Sequence, residues 1–195
     1  MIPYDANTAL IVVDVQNDFA DPQGTLSVHG AEAIIPAINA EIRRAETAGA
    51  CVVVTQDWHP EHTPHFAKDG GIWPVHCVAN SWGAQLHPKL VYGDALRIRK
   101  GTGGEDGYSA FSVRDPETGA EKATELAATL HARGITRVVV AGLATDYCVQ
   151  ATVLDARGLG FETLVVADAI RPVERVPGDG AKAVAAMRAA GAELR

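Results

Sequence analysis

Three residues able to do acid–base or nucleophilic chemistry stand at or just past the ends of short apolar runs: Asp14, Lys100 and Cys148. A carboxylate, an ammonium and a thiol at one place make a proton acceptor, an electrostatic partner and a nucleophile, suited to attack on an acyl carbon. Asp14 directly follows Ala9-Leu10-Ile11-Val12-Val13. A buried carboxylate must be partnered or it costs energy, so beyond a plain loop-capping role it calls for a donor or cation. Lys100 closes the alternating segment Ala95-Leu96-Arg97-Ile98-Arg99 and can supply that cation, although an edge lysine can equally snorkel to solvent. Cys148 lies in Gly142-Leu143-Ala144-Thr145-Asp146-Tyr147-Cys148-Val149, which reads as a strand-to-helix turn. With Thr145 or Asp146 as the N-cap, Cys148 falls in the first helical turn. There, unpaired amides and the helix dipole would lower a thiol pKa and stabilise a developing oxyanion.

A second cluster has the donor types of a metal site. Asp57-Trp58-His59 follows an apolar run, and residues two apart in extended chain project to one face. Trp73-Pro74-Val75-His76 can return a second imidazole, while His62 and His65 are further candidates, His65 the stronger. One carboxylate with two imidazoles suits one divalent metal, Zn²⁺, Fe²⁺ or Mn²⁺, without the spacing saying which, and leaves positions open for water or substrate. An isolated Asp-x-His would read better as turn chemistry; three further histidines close by favour a metal. Cys51 and Cys77 read as structural thiols, Asp168 as a loop cap, and Asp18 and Asp146 as acceptors for local backbone. Trp82 and His87 read as packing or surface features.

The elements that must position these groups follow from the pattern. Cys51–Val54, Val138–Ala141 and Thr163–Val166 join residues 9–13 as short β-branched runs, the mark of strands buried on both faces. Residues 95–99 form a wetter strand, and 192–194 a possible last one. Helices are expected over 31–48, with Ile34, Ile35, Ile38 and Ile42 on one stripe, and over 117–133, 148–157 and 179–190. This alternation predicts an α/β fold: an open, mostly parallel, Rossmann-like sheet of about six strands with helices on both faces. In such sheets ligands bind beyond the carboxyl ends of strands, where the three polar residues fall. Residues 56–95 break the alternation with all three Trp, five of the seven His and four Pro, which reads as a site-building insertion within one domain spanning 1–195.

Composition narrows the class. The chain has 195 residues, 47% hydrophobic and 21% charged, so it can bury a core without disulfides. A net charge of −7 with no basic stripe argues against nucleic acid and anionic membranes as partners. Three cysteines without a CxxC argue against a disulfide framework. The opening MIPYDANTALIVVDVQ lacks the basic start of a signal peptide, and no apolar stretch is long enough to span a membrane. A cytoplasmic protein is expected.

At these residues the chain resembles the isochorismatase-like cysteine hydrolases, and within them the nicotinamidases and pyrazinamidases. The matching segments are DVQNDF (14–19), DWHPEHTPHF (57–66), WPVHCV (73–78), KG with YSAF (100–101, 108–111) and GLATDYCV (142–149), in the family's order along essentially the whole chain. The resemblance implies a catalytic triad of Asp14, Lys100 and Cys148, and metal ligation by Asp57, His59 and His76. It further implies an oxyanion hole from the backbone amides of Ala144 and Cys148, and a cis Leu143–Ala144 peptide. Phe19, Trp73 and Tyr108 would wall a pyridine ring. The implied reaction is metal-dependent hydrolysis of nicotinamide to nicotinate and ammonia through a thioester, for NAD salvage, with a small-molecule amide as substrate and a homo-oligomer as the assembly. Three positions depart from a common pattern: Thr63 and His65 replace the later His and Ser of DWHPxxHxSF, and Gly107 stands where an Asp often precedes the Tyr-Ser element. Competing readings are a relative acting on a carbamoyl or ureido substrate, or a catalytically silent metal-binding member.

Overall fold

The computed structural model describes residues 2–195. Six strands form one sheet in the order β3 (Leu96–Lys100), β2 (Cys51–Asp57), β1 (Thr8–Val13), β6 (Arg137–Leu143), β7 (Glu162–Arg171), β8 (Glu193–Leu194). Every pairing within it is parallel. The expected short last strand is β8, and the expected wetter strand is β3, which alternates exposed Arg97 and Arg99 with buried Ile98 and Lys100.

Both faces of the sheet are covered, as its all-buried central strand demands. Leu10 and Val12 of β1 pack with Ile35, Ile38 and Ile42 of α2 (Ile35–Thr47). Pro36 sits in the first turn of α2, where a missing N–H costs nothing, and Gly49 at φ 72° lets the chain turn out of it. Burying each isoleucine stabilises the fold by roughly 1.5–3 kcal/mol relative to leaving it in water. Ala9, Ile11 and Val13 face the other way, onto Leu126 and Leu130 of α3 (Leu126–Ala132), Val153 of α4 (Gln150–Gly158) and Met187 of α5 (Asp179–Ala189). A single turn, α1 (Asn17–Ala20), follows β1.

Three local expectations are corrected. The helix expected over 117–133 is confined to α3. Residues 115–119 instead form a turn in which the Asp115 carboxylate accepts from the amides of Glu117 and Thr118. That turn joins β4 (Ser112–Arg114) to β5 (Glu121–Ala123) as an antiparallel hairpin. Next, the strand expected to end near Val166 runs on to Arg171, with a register irregularity opposite Val140 and Gly142, so Asp168 is an exposed residue within β7 and not a loop cap after it. Finally, the turn carrying Cys148 is π-helical over Thr145–Val149 before α4 begins, and neither Thr145 nor Asp146 caps it. Among the described residues no helix is long and apolar enough to cross a membrane.

Candidate active site

The carboxyl ends of β1, β2, β3 and β6 lie side by side, and each delivers one polar group. Asp57 and Lys100 end neighbouring strands as register partners, so their side chains leave the sheet at the same level. Asp14 follows β1 with φ 48°, a left-handed conformation uncommon for a residue other than glycine and enriched at functional turns. On the far side, Gly142 pairs with Val13 at φ 115°. A Cβ there would fall 2.1 Å from the Val13 carbonyl oxygen. Glycine thus lets β6 pack against the end of β1 before the chain passes through the cis Leu143–Ala144 bond to Cys148.

Lys100, 1% exposed, is the hub. Its Nζ lies 2.6 Å from Asp14 Oδ2 and 3.6 Å from Cys148 Sγ, and it donates to Asp57 Oδ1 and the Gly107 carbonyl. Thr55 fixes the other Asp14 oxygen: its hydroxyl donates to Oδ1 at 2.6 Å and accepts from the Asp14 amide at 3.1 Å. One oxygen each of Asp14 and Asp57, together with Cys148 Sγ, lie within 4.8 Å of one another. Two carboxylates and a thiol therefore share one ammonium in a water-excluded site.

Charge sharing there is unequal. Burial pushes the Asp14 carboxyl up to about 6, with Lys100 opposing and the charge of Asp57 adding to the rise. Burial also works against Asp57, but Lys100 and His59 outweigh it and hold its carboxyl well below the usual range. Lys100 is itself penalised by burial, yet the two carboxylates raise it well above an ordinary lysine, so it stays charged. The expected low thiol pKa at Cys148 is corrected: burial pushes it well above the ordinary value, Lys100 opposing without prevailing. A thiol 7% exposed loses more hydration as a thiolate than one cation 3.6 Å away and shared with two carboxylates returns. The group is a neutral thiol waiting on a base.

The imidazoles gather beside Asp57. Nitrogens of His59, His65 and His76 lie within 4.8 Å of one another, and Asp57 Oδ2 lies 3.8 Å from His59 Nε2 and 4.0 Å from His76 Nε2. His76 Nδ1 stands 2.7 Å from the Pro74 carbonyl. A carbonyl only accepts, so Nδ1 carries the proton and Nε2 keeps a free lone pair. His65 is oriented the same way by Asp106, 2.5 Å from Nδ1. Both ring nitrogens of fully buried His59 lack any hydrogen-bond partner, a state that buried polar atoms seldom sustain without a ligand. Two imidazoles with inward Nε2 lone pairs, an orphaned third and a spare carboxylate oxygen fit a divalent cation. His65 joins this cluster; His62 is exposed and pairs with Asp69 instead.

One narrow cavity opens onto both groups. Its lining includes Asp57, His65, His76, Ala144 and Cys148, together with the aromatic side chains of Phe19, Trp73 and Tyr108. Trp73 Nε1 donates to the Tyr108 hydroxyl at 2.8 Å. Tyr147, which the sequence did not single out, adds a fourth wall, edge-on to Trp73 at 4.7 Å between centroids. A flat aromatic ring seated there would have the thiol on one side and the imidazoles on another.

Several supporting residues escaped the sequence reading. The Gln16 side chain accepts from the Asp57 amide and donates to the Asp57 carbonyl, both at 2.8 Å, clamping that residue by its own backbone. Asp18 and Asp146 do accept from backbone amides: Asp18 takes the nearby Thr25 N at 3.1 Å and the distant Cys77 N at 2.7 Å, while Asp146 takes only distant ones, Val173 N and Glu174 N. Gln16 and Asp18 stand inside DVQNDF and Asp146 inside GLATDYCV, motifs already singled out; Asp106 carries no comparable local signal. Cys77 is buried and packs with the core around Phe19 and Ala84, as expected for a structural thiol. Trp82 is exposed, while His87 is buried, 3.7 Å from Asp21.

A thiol beside a carboxylate–lysine pair, at the carboxyl edge of a parallel sheet, makes this an α/β hydrolase site built on cysteine. The chain belongs to the isochorismatase family: the family described as "Isochorismatase domain" matches residues 8–195. It is similar to the nicotinamidase of Escherichia coli K12, with 39% identity over 95% of this chain and 93% of that one. Among solved structures it is similar to the pyrazinamidase of Pyrococcus horikoshii in complex with zinc, at 40% identity and a TM-score of 0.86, covering 97% of this chain and 98% of that one. It is likewise similar to PnC1 of L. infantum in complex with nicotinate, at 38% identity and a TM-score of 0.88, covering 100% and 95%. The protein is an amidohydrolase of this family, acting on a carboxamide.

Proposed function

We propose that the protein hydrolyses nicotinamide to nicotinate and ammonia, with Cys148 as nucleophile, Asp14 as proton carrier and Lys100 as their electrostatic partner. One observation carries the reading most: the thiol, Asp57 and two of the clustered imidazoles line a single aromatic-walled cavity. A pyridine carboxamide has one end for each group. A small acyclic carbamoyl or ureido substrate would leave the space between Phe19, Trp73, Tyr108 and Tyr147 unfilled.

In the first half-reaction Cys148 Sγ attacks the carboxamide carbon as its proton passes to Asp14 Oδ2. Burial disfavours a standing thiolate, so the proton must leave as the sulfur attacks, and Asp14, whose carboxyl is pushed up to about 6, is the adjacent base to take it. The amides of Ala144 and Cys148 receive the negative oxygen. On collapse Asp14 returns the proton to the departing nitrogen, releasing ammonia and leaving a thioester on Cys148. Water then adds to the thioester carbon while Asp14 takes its proton. The thiol leaves with that proton and the carboxylic acid is free. Lys100 stays charged throughout and compensates each change at Asp14 and Cys148.

Asp57, His59 and His76, with His65, are the residues that would hold the metal, for which zinc is the first choice and Fe²⁺ or Mn²⁺ the alternatives. When bound, such an ion supplies a Lewis-acid point that a pyridine nitrogen or its water can coordinate. The protein's part is orientation: the aromatic walls hold the ring flat so that the carbonyl stands over Cys148.

The test is acid-quenched intact-mass spectrometry during turnover of nicotinamide. A nicotinoyl adduct on the wild-type chain, absent from Cys148→Ala, is expected. Turnover with no adduct at any quench time, or an adduct that persists in Cys148→Ala, would overturn the assignment.

A further inference from the structure

Residues 101–107 leave β3 directly after Lys100 and wrap the imidazole cluster, meeting two of its rings directly and a third point through Thr63. Gly101, at φ 72°, packs so close to His59 that a Cβ would fall 2.6 Å from its Cε1. Gly104 O accepts the Thr63 hydroxyl at 2.6 Å, and Thr63 Oγ1 accepts from the His65 amide at 3.1 Å. Asp106 then meets the His65 ring itself. The Asp106 main chain is fastened independently, exchanging both of its hydrogen bonds with Arg114 at the end of β4, at 2.7 and 3.0 Å. Its carboxylate is therefore presented from a fixed backbone.

We propose that Asp106 is a positioning residue of the metal centre, selecting the His65 tautomer that turns Nε2 inward. The argument is one of donors and acceptors. A carboxylate can only accept, so the 2.5 Å contact places the imidazole proton on Nδ1 and leaves the Nε2 lone pair free. The His65 side chain is 4% exposed and that of Asp106 21%, so the pair sits at the edge of the site, where solvent would otherwise compete for Nδ1. Imidazole metal ligands are commonly fixed in this way by a partner outside the ligand set, and losing that partner weakens metal binding. The next residue, Gly107, gives its carbonyl to Lys100, so one short segment sets both a metal imidazole and the lysine beside the thiol. The inference rests on the metal reading above.

The experiment uses the full chain, with Zn²⁺ as probe. Zinc affinity is measured by competition with a chromophoric chelator for wild type, Asp106→Ala and Asp106→Asn, alongside ¹⁵N chemical shifts of the His65 ring in zinc-free protein. Asp106→Ala is expected to bind zinc about 10–100-fold more weakly and to lose the Nδ1–H tautomer. Asp106→Asn keeps an accepting oxygen and is expected to recover most of both. Because the Arg114 bonds are main-chain, they survive either change. Unchanged zinc affinity with His65 still protonated at Nδ1 in Asp106→Ala would overturn the role of Asp106 alone. Failure of the wild type to bind zinc would overturn the metal reading itself.

Discussion

Asp57 and Lys100 are register partners on neighbouring parallel strands, and their side chains meet just beyond the sheet edge, joining the imidazole cluster to the thiol. One Asp57 oxygen holds Lys100 while the other faces His59 and His76. Replacing Lys100 with Met would leave the buried carboxylates of Asp14 and Asp57 facing each other without a cation. Breaking a buried pair this way destabilises by about 3–5 kcal/mol. Lys100→Met is therefore expected to lower the urea midpoint sharply at neutral pH and to lose part of that deficit as pH falls and the carboxylates protonate. A midpoint equal to wild type would contradict the buried-hub reading.

Cys148→Ala and His59→Ala should separate chemistry from metal binding. The first is expected to lose at least ~10⁴-fold in kcat with full metal stoichiometry. The second should lose metal and mainly raise KM. Elemental analysis beside steady-state kinetics decides, and retained turnover in Cys148→Ala would refute the nucleophile.

Activity should fall on the acid side. Asp14 must be ionised to accept the thiol proton, and its carboxyl sits up at about 6. Below that pH the folded protein carries Asp14 protonated, so kcat/KM should drop roughly tenfold per pH unit. Above it the carboxylate is available and the profile should level. A profile flat down to pH 4 would remove Asp14 as the base.

Gly101→Ala tests the packing around His59. A side chain at φ 72° is strained, and its Cβ would fall against the imidazole. A loss of about 1–3 kcal/mol in stability and weaker metal retention are expected, checked by thermal denaturation and dialysis against chelator.

Much of this was legible in the sequence because strand ends announce themselves. Asp14, Lys100 and Cys148 could be placed on one edge from apolar runs alone, and all three meet there. Asp57, His59, His65 and His76 were legible as donor types, though spacing could not say that His62 would face solvent. What the sequence withheld was pairing across distance. Asp106 reaches His65 over 41 residues, and Thr55 reaches Asp14 over the same separation. No local periodicity encodes such contacts. The helix misplaced over 117–123 failed for a different reason: Asp115, Pro116 and Gly119 favour a turn, and the hairpin it closes overrides the helical propensity of the glutamates and alanines. The raised thiol pKa was missed because a helix N-terminus is visible in sequence and the depth of burial is not.

The most direct measurement is ammonia release from nicotinamide by the purified, zinc-loaded protein, with chelator-treated protein and a carbamoyl substrate run in parallel. Rapid release from nicotinamide, lost on chelation, restored by added zinc and far exceeding release from the carbamoyl compound, is the predicted result. No ammonia from nicotinamide with zinc bound, or faster release from the carbamoyl compound, would contradict the assignment.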